Sequence, residues 1–212
     1  MENICIMEES LRLDLINKFT VILDYCGAPL STNEVLWFEQ TYSIVLPQPF
    51  KEFLLHFDGG ALGKIDVGFS VLPRFKTNQE CQLSLYYFLS LREHNKGGEG
   101  TIVDDIDTMR EWILEDFGLN YDHTKDFIPI AYTDGNSRIC IGCSLEYHGK
   151  IYIFDAGTDL PEALFGMYIP LAESLEQFIC EVIQPCNDKS YTLLNERLKN
   201  GWKPNVMQKI YY

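Results

Sequence analysis

Phe127-Ile-Pro-Ile-Ala-Tyr-Thr-Asp-Gly-Asn-Ser-Arg-Ile-Cys-Ile-Gly-Cys-Ser-Leu-Glu-Tyr-His-Gly-Lys-Ile-Tyr-Ile-Phe154 is the stretch whose reading decides the fold. Its apolar residues recur with period two and are punctuated by turn dipeptides, which predicts a three-stranded meander over 127–156. Strand one runs from Phe127 to Tyr132. Asp134-Gly135 follows, a hairpin dipeptide whose central residues accept positive φ. Strand two sets Ile139, Ile141, Cys143 and Leu145 on one face and Cys140, Gly142 and Ser144 on the other. His148-Gly149 makes the next turn. Strand three, Ile151 to Phe154, is apolar on both faces, as a covered central strand should be. Pro129 lacks a donor, so strand one is either an edge or does not need that donor.

Upstream the periodicity becomes helical. Leu11, Leu15, Phe19 and Ile22 predict a helix over 10–25, with Gly27 as its stop. Ser31 and Glu34 have capping-box spacing and open a second helix reaching about Tyr42. After Leu46-Pro47, a third helix over 48–57 carries Phe50, Phe53, Leu54 and Phe57 on one stripe. Asp58-Gly59-Gly60 closes it. Residues 65–72 and 83–90 read as strands, and Glu93 to Gly100 as a polar loop. A fourth helix over 103–117 turns Ile106, Met109, Ile113 and Phe117 inward. It is acidic outside, with Asp104, Asp105, Asp107, Glu111, Glu115 and Asp116. Downstream, Ser174 and Gln177 cap a helix with the stripe Leu175, Phe178, Ile179, Val182 and Ile183, which Pro185 stops. Residues 188–199 add one more helix before the tail Gly201 to Tyr212.

The chain has 212 residues, 46% of them hydrophobic and 23% charged, a composition that excludes a disordered or fibrous main body. Thirty-one acidic residues against 17 basic ones leave a net charge of -14. That balance disfavours nucleic-acid binding, which needs clustered Lys and Arg. Seven cysteines, an odd and scattered set, read as reduced thiols rather than a disulfide framework. The first residues lack the basic and apolar regions of a signal peptide, and no apolar run reaches the ~20 residues of a membrane span. The expectation is a cytoplasmic protein with no membrane partner. With no repeat and no linker-like stretch, the economical organisation is one domain, with a helical lead over 1–30, a body over 31–183 and a helical extension and tail over 184–212.

Several stretches together resemble the SUKH superfamily, whose members include the yeast cell-wall assembly regulator and many bacterial immunity proteins. Glu34-Val-Leu-Trp-Phe-Glu39, then Ile44-Val-Leu-Pro47 and Phe50-Lys-Glu-Phe-Leu54, resembles its first motif, in which a glutamate-bearing helix runs into Leu-Pro and then Tyr-x-x-Phe-Leu. Here Phe50 replaces the tyrosine. Phe57-Asp58-Gly59-Gly60 is similar to its Asn-Gly-Gly, with Asp for Asn. The strand Phe127 to Tyr132 with Asp134-Gly135, the strand Gly149 to Asp155 and the capped helix Ser174-Leu-Glu-Gln-Phe178 follow in the family's order. Asn136 and Ser137 depart from its glycine-rich turn. The resemblance covers roughly residues 31–183. It implies an α+β domain, a twisted and mostly antiparallel sheet flanked by helices. It also implies a non-catalytic protein-binding function: an immunity protein blocking a basic toxin domain, or a regulatory scaffold of the cell-wall regulator type. No cofactor is implied.

The candidate partner-binding residues are Trp37, Glu39, Asp58, Asp104, Asp107, Glu111 and Asp134. Asp104, Asp107 and Glu111 lie three and four apart and share a helix face, which serves either a basic partner or solvation alone. The resemblance places Trp37, Glu39, Asp58 and the Asp134 turn near the edge of a concave surface. The bland alternative has Trp37 packing and Glu39 exposed or paired with Lys51. Cys140-x-x-Cys143 has no second Cys pair for zinc, and residues three apart on a strand diverge, so both read as structural thiols and no metal is expected. No catalytic motif or phosphate-binding loop is present. His148, near Glu146 and Asp155, is the one remote candidate for hydrolysis.

Overall fold

The computed structural model describes residues 13–62, 69–71, 83–92, 100–119, 122–133, 137–155, 164–165, 167–185 and 187–207. In chain order the elements are α1 (residues 13–22), β1 (Tyr25–Gly27), α2 (Thr32–Tyr42), α3 (Gln48–His56), β2 (Asp58–Ala61), β3 (Phe69–Val71) and β4 (Leu83–Phe88). Then come α4 (Ile102–Phe117), β5 (Phe127–Thr133), β6 (Arg138–Gly142), β7 (Ile151–Phe154) and β8 (Tyr168–Ala172). The chain ends with α5 (Leu175–Gln177) and a π-helical turn Phe178–Val182, then β9 (Ile183–Pro185), α6 (Asp188–Asn200) and β10 (Asn205–Met207). The fold is α+β. The strands join one sheet in the order β10-β1-β2-β4-β5-β6-β7-β8, with β3 and β9 paired to each other beside β4. The pairings among these strands are antiparallel except β1 with β10.

The meander is β5-β6-β7, as its period-two pattern requires. Ile151 and Ile153 enter the larger apolar cluster, while Tyr152 and Phe154 enter the smaller one. Alternation along the strand therefore puts a core on each face of the sheet. The larger cluster gathers α1, α2 and α3, with Phe19 4.4 Å from Phe53 and 5.2 Å from Phe88, ring to ring. The full Phe50, Phe53, Leu54 and Phe57 stripe is buried, each such side chain contributing about 1.5–3 kcal/mol. Helix α4 bridges the two cores: Ile102 and Ile106 join the larger, Met109 and Ile113 the smaller.

Several expectations are corrected. The first helix ends by residue 22 rather than 25, and Tyr25–Gly27 is instead a strand held between β2 and β10. Asp58-Gly59-Gly60 follows the helix as strand β2. Gly59 has φ 72° and Gly60 φ 151°, and a Cβ there would lie 2.8 Å from the Phe88 carbonyl and 2.6 Å from the Tyr25 carbonyl. The two glycines thus let three backbones close up. Strand β5 is interior, so of the two readings of Pro129 the edge one fails, and the proline sits at a bulge between Pro129 and Ala131, past the last pair with β4. Strand β6 stops at Gly142, so Leu145 sits in a turn and is 98% exposed. Phe117 is only half-buried, though it packs against the smaller core as expected. The helix after Ser174 is short and gives way to the π turn and β9, though its apolar stripe is buried as expected. Strand β8 carries Pro170 and has no clean alternation, so the sequence did not announce it.

The termini meet. Arg197 of α6 donates to the carbonyls of Val21, Ile22 and Leu23, pairs with Asp24 and lies over Trp202, whose indole N–H also reaches the Leu23 carbonyl. A cation at a helix C-terminus satisfies its orphan carbonyls and complements the dipole. The expected helix over 188–199 is thereby fastened onto the end of α1. Residues 1–12 and 208–212 lie outside the described residues.

Candidate protein-binding surface

Helix α4 begins where Thr101 accepts from the Asp104 amide and Asp104 reaches back to the Thr101 amide and hydroxyl. This reciprocal cap fixes the rotation of the helix. Gly118 ends it in the left-handed conformation, φ 62°. With Ile102, Ile106, Met109 and Ile113 inward, the opposite face presents Asp104, Asp107, Glu111 and Glu115, all exposed, in one stripe. Arg110 leans off that face and ties its flank. It bonds Asp107 at 3.1 Å and both oxygens of Asp122 at 3.2 Å, and lies 5.8 Å from the Tyr42 ring. Among the described residues Glu111 and Glu115 carry no ion pair. The stripe is a row of solvated carboxylates on a rigid element.

The expected exposure of Asp105 is overturned. It is buried, with Arg138 bound through two nitrogens at 2.7 and 3.0 Å. The guanidinium lies 4.2 Å from the Tyr132 ring and 5.4 Å from the Trp112 ring. Burial displaces the Asp105 carboxyl upward from its ordinary value, and the bonds from Arg138 oppose that displacement. One helical step separates this buried carboxylate from the solvated stripe.

Glu39 and Asp58 lie inside. Glu39 accepts the Leu46 amide at 2.7 Å and pairs with Lys51 at 2.7 Å. Its carboxylate therefore secures the backbone just ahead of Pro47, which gives the glutamate-then-Leu-Pro pattern a physical reason. Asp58 is fully buried and accepts from the amides of Leu91 at 2.7 Å and Arg92 at 3.3 Å. It ties the start of β2 to the chain leaving β4. Arg92 in turn grips Glu34 through two nitrogens at 2.7 and 2.6 Å, which holds the Glu34 carboxyl down at about 2, below its ordinary 4.5. Trp37 is 61% exposed on the solvent side of α2. No contact among the described residues joins it to the α4 stripe. Asp134 lies outside the described residues. Sequence reasoning missed Arg92, Arg110 and Arg138, since nothing in a lone arginine tells which distant carboxylate it will meet.

Cys140 and Cys143 enter opposite cores, and burial pushes both thiols well up. The His148 ring contacts the Cys143 carbonyl at 3.2 Å within its turn, at the other end of β7 from Asp155. Among the described residues no three His, Cys, Asp or Glu side chains converge to hold a metal, and no helix is long and apolar enough to cross a membrane.

No curated protein matches the chain in a direct sequence comparison. Comparison with family models matches the SMI1 / KNR4 family (SUKH-1) over residues 29–181. That span runs from the approach to α2 through the capped turn after Ser174, most of the chain, and holds the Glu39–Leu46 and Asp58–Leu91 fasteners. The chain belongs to the SMI1 / KNR4 family (SUKH-1).

Proposed function

We propose that this protein is an immunity protein that binds a basic toxin domain in the cytoplasm and blocks it through the solvent face of α4. Family membership supports a protein-interaction module of the immunity or regulator kind. The observation that carries the finer reading is the stripe Asp104, Asp107, Glu111 and Glu115 on a capped helix, in a chain of net charge -14. Aligned carboxylates on a rigid face steer a cationic partner and raise its association rate. They can also occupy the groove in which a nuclease holds phosphate. In this reading Trp37 and Asp134 contribute further contacts, and Glu39 and Asp58 act from inside by holding the Leu46, Leu91 and Arg92 amides.

The test is co-expression with each basic toxin domain encoded in the source genome. The intact protein should protect, and a triple reversal (Asp107→Lys, Glu111→Lys, Glu115→Lys) should abolish protection while the purified variant remains folded. Protection that survives the reversal removes α4 from the interface, and no protection against any toxin removes the immunity reading. A second reading, a regulatory scaffold of the cell-wall regulator type, draws on the exposed Trp37. It expects a cellular partner whose affinity falls on Trp37→Ala and hardly responds to salt.

A further inference from the structure

We propose that the groove between α1 and α6 docks a basic amphipathic helix of another protein. Its volume is about 670 Å³, within the range of sites that hold a ligand. Both walls come from segments outside the family match, α1 before it and α6 after it. The floor is Ile179 of the π-helical turn and Ile183 of β9. Such π turns recur at functional sites.

The walls have the spacing a helix needs. On α6, Tyr191, Leu194 and Leu198 stand at i, i+3 and i+7 and all line the groove. Leu194 packs on the core, while Tyr191 is 49% and Leu198 61% exposed. On α1, Asp14, Lys18 and Val21 repeat at i, i+4 and i+7. Two facing rows of this kind accept the ridge of a third helix, whose own anchors recur at i, i+3, i+4 and i+7.

Charge selects the occupant. Asp14 and Glu176 stand among the lining residues, against Lys18 as the one cation among the described residues there. A second copy of this chain would bring another -14 to the contact, and that repulsion disfavours it. A helix with an apolar stripe and a Lys- or Arg-rich flank satisfies both floor and rim. This docking is independent of the acid stripe on α4 and stands or falls by itself.

The probe is a fluorescein-labelled 18-residue helical peptide of Leu and Lys, with Leu at i, i+3, i+4 and i+7. Its binding to the full chain is read by anisotropy. Controls carry Glu for Lys, or the same residues with the stripe scrambled. Cys180 is exposed and lines the groove, so its alkylation rate, followed by peptide mass spectrometry, reports occupancy. The Leu/Lys peptide should bind, slow alkylation of Cys180, and lose at least about tenfold in affinity on Leu198→Glu. Leu198 is exposed, so that variant should keep the wild-type unfolding midpoint. Asp14→Lys combined with Glu176→Lys should weaken binding too. A peptide held only by the acid stripe would leave Cys180 reactive and ignore Leu198→Glu, and that result overturns the proposal. So does equal binding of the Glu peptide, no binding at all, or self-association in sedimentation that Leu198→Glu abolishes.

Discussion

On the solvent face of α4, Asp107 and Glu111 stand in water; on the flank of the same helix, Asp105 is buried against Arg138. The same contrast separates that face from the interior positions of Glu39 and Asp58. A buried carboxylate loses its hydration and must recover it from fixed donors. Asp105 recovers it from a guanidinium, Asp58 from two backbone amides, and Glu39 from one amide and an ammonium. Each of these joins segments that no local rule would bring together. In the stripe on α4, Asp104 caps its own helix and Asp107 pairs with Arg110, while Glu111 and Glu115 carry no ion pair among the described residues. Carboxylates in this chain thus stand in two kinds of place, internal and solvated, and only position distinguishes them.

The sharpest way to break the contrast is Asp105→Ala. It takes from the buried Arg138 the carboxylate that binds two of its nitrogens, and stability should fall by about 3–5 kcal/mol in urea unfolding. Replacing both partners, Asp105→Leu with Arg138→Met, should recover most of that loss, because well-packed apolar side chains often match a buried ion pair. A double variant as unstable as the single one would mean that Arg138 serves something other than the pair.

Asp58→Ala should cost less, about 1–3 kcal/mol, by leaving the Leu91 and Arg92 amides without their carboxylate. Hydrogen exchange should quicken first at those two amides. Unchanged protection there would show that they find another acceptor.

Glu34 lies between the two extremes, half in solvent and gripped by Arg92. Its carboxyl is lowered in the folded state, so its contribution is present above about 4.5 and is lost as pH falls toward about 2. Glu34→Gln should therefore flatten the acid limb of the stability curve across that window and lower the neutral plateau. An unaltered acid limb would place the acid sensitivity in other carboxylates.

The smallest expected effect is Glu111→Lys, within about 0.5 kcal/mol of wild type by thermal unfolding. A large loss there would put the stripe in the structural class and remove the contrast altogether.

Much of the fold was legible because the signals are local. The meander follows from period-two alternation and Asp-Gly, α2 from its polar cap, α4 from its helical stripe, and the core of α3 from four aliphatic and aromatic residues in register. Where the reading failed, a distant partner had overridden a local signal. Tyr25 ends the span read as a helix, yet with Cys26 and Gly27 it is drawn into the sheet between Gly60 and Val206. Ile183 ends an amphipathic stripe yet pairs with Val71 as a strand. At the surface, Asp104, Asp107 and Glu111 do share a face as their spacing requires, whereas Asp105, one step away, does not join them.

By itself, then, the sequence determined where helices start, where hairpins turn, which stripes are apolar, and which family the chain resembles. All of these depend on residues within a turn or two of each other, or on motifs read in order. Only the tertiary structure decided which carboxylates became internal fasteners and which stayed in water, and that a groove opens between α1 and α6. Asp105 meets Arg138 across 33 residues, Asp58 meets Leu91 across 33, and Arg197 meets Ile22 across 175. Burial is a property of what packs over a residue, and that is set when the whole sheet closes its register rather than by the residue's neighbours in the chain.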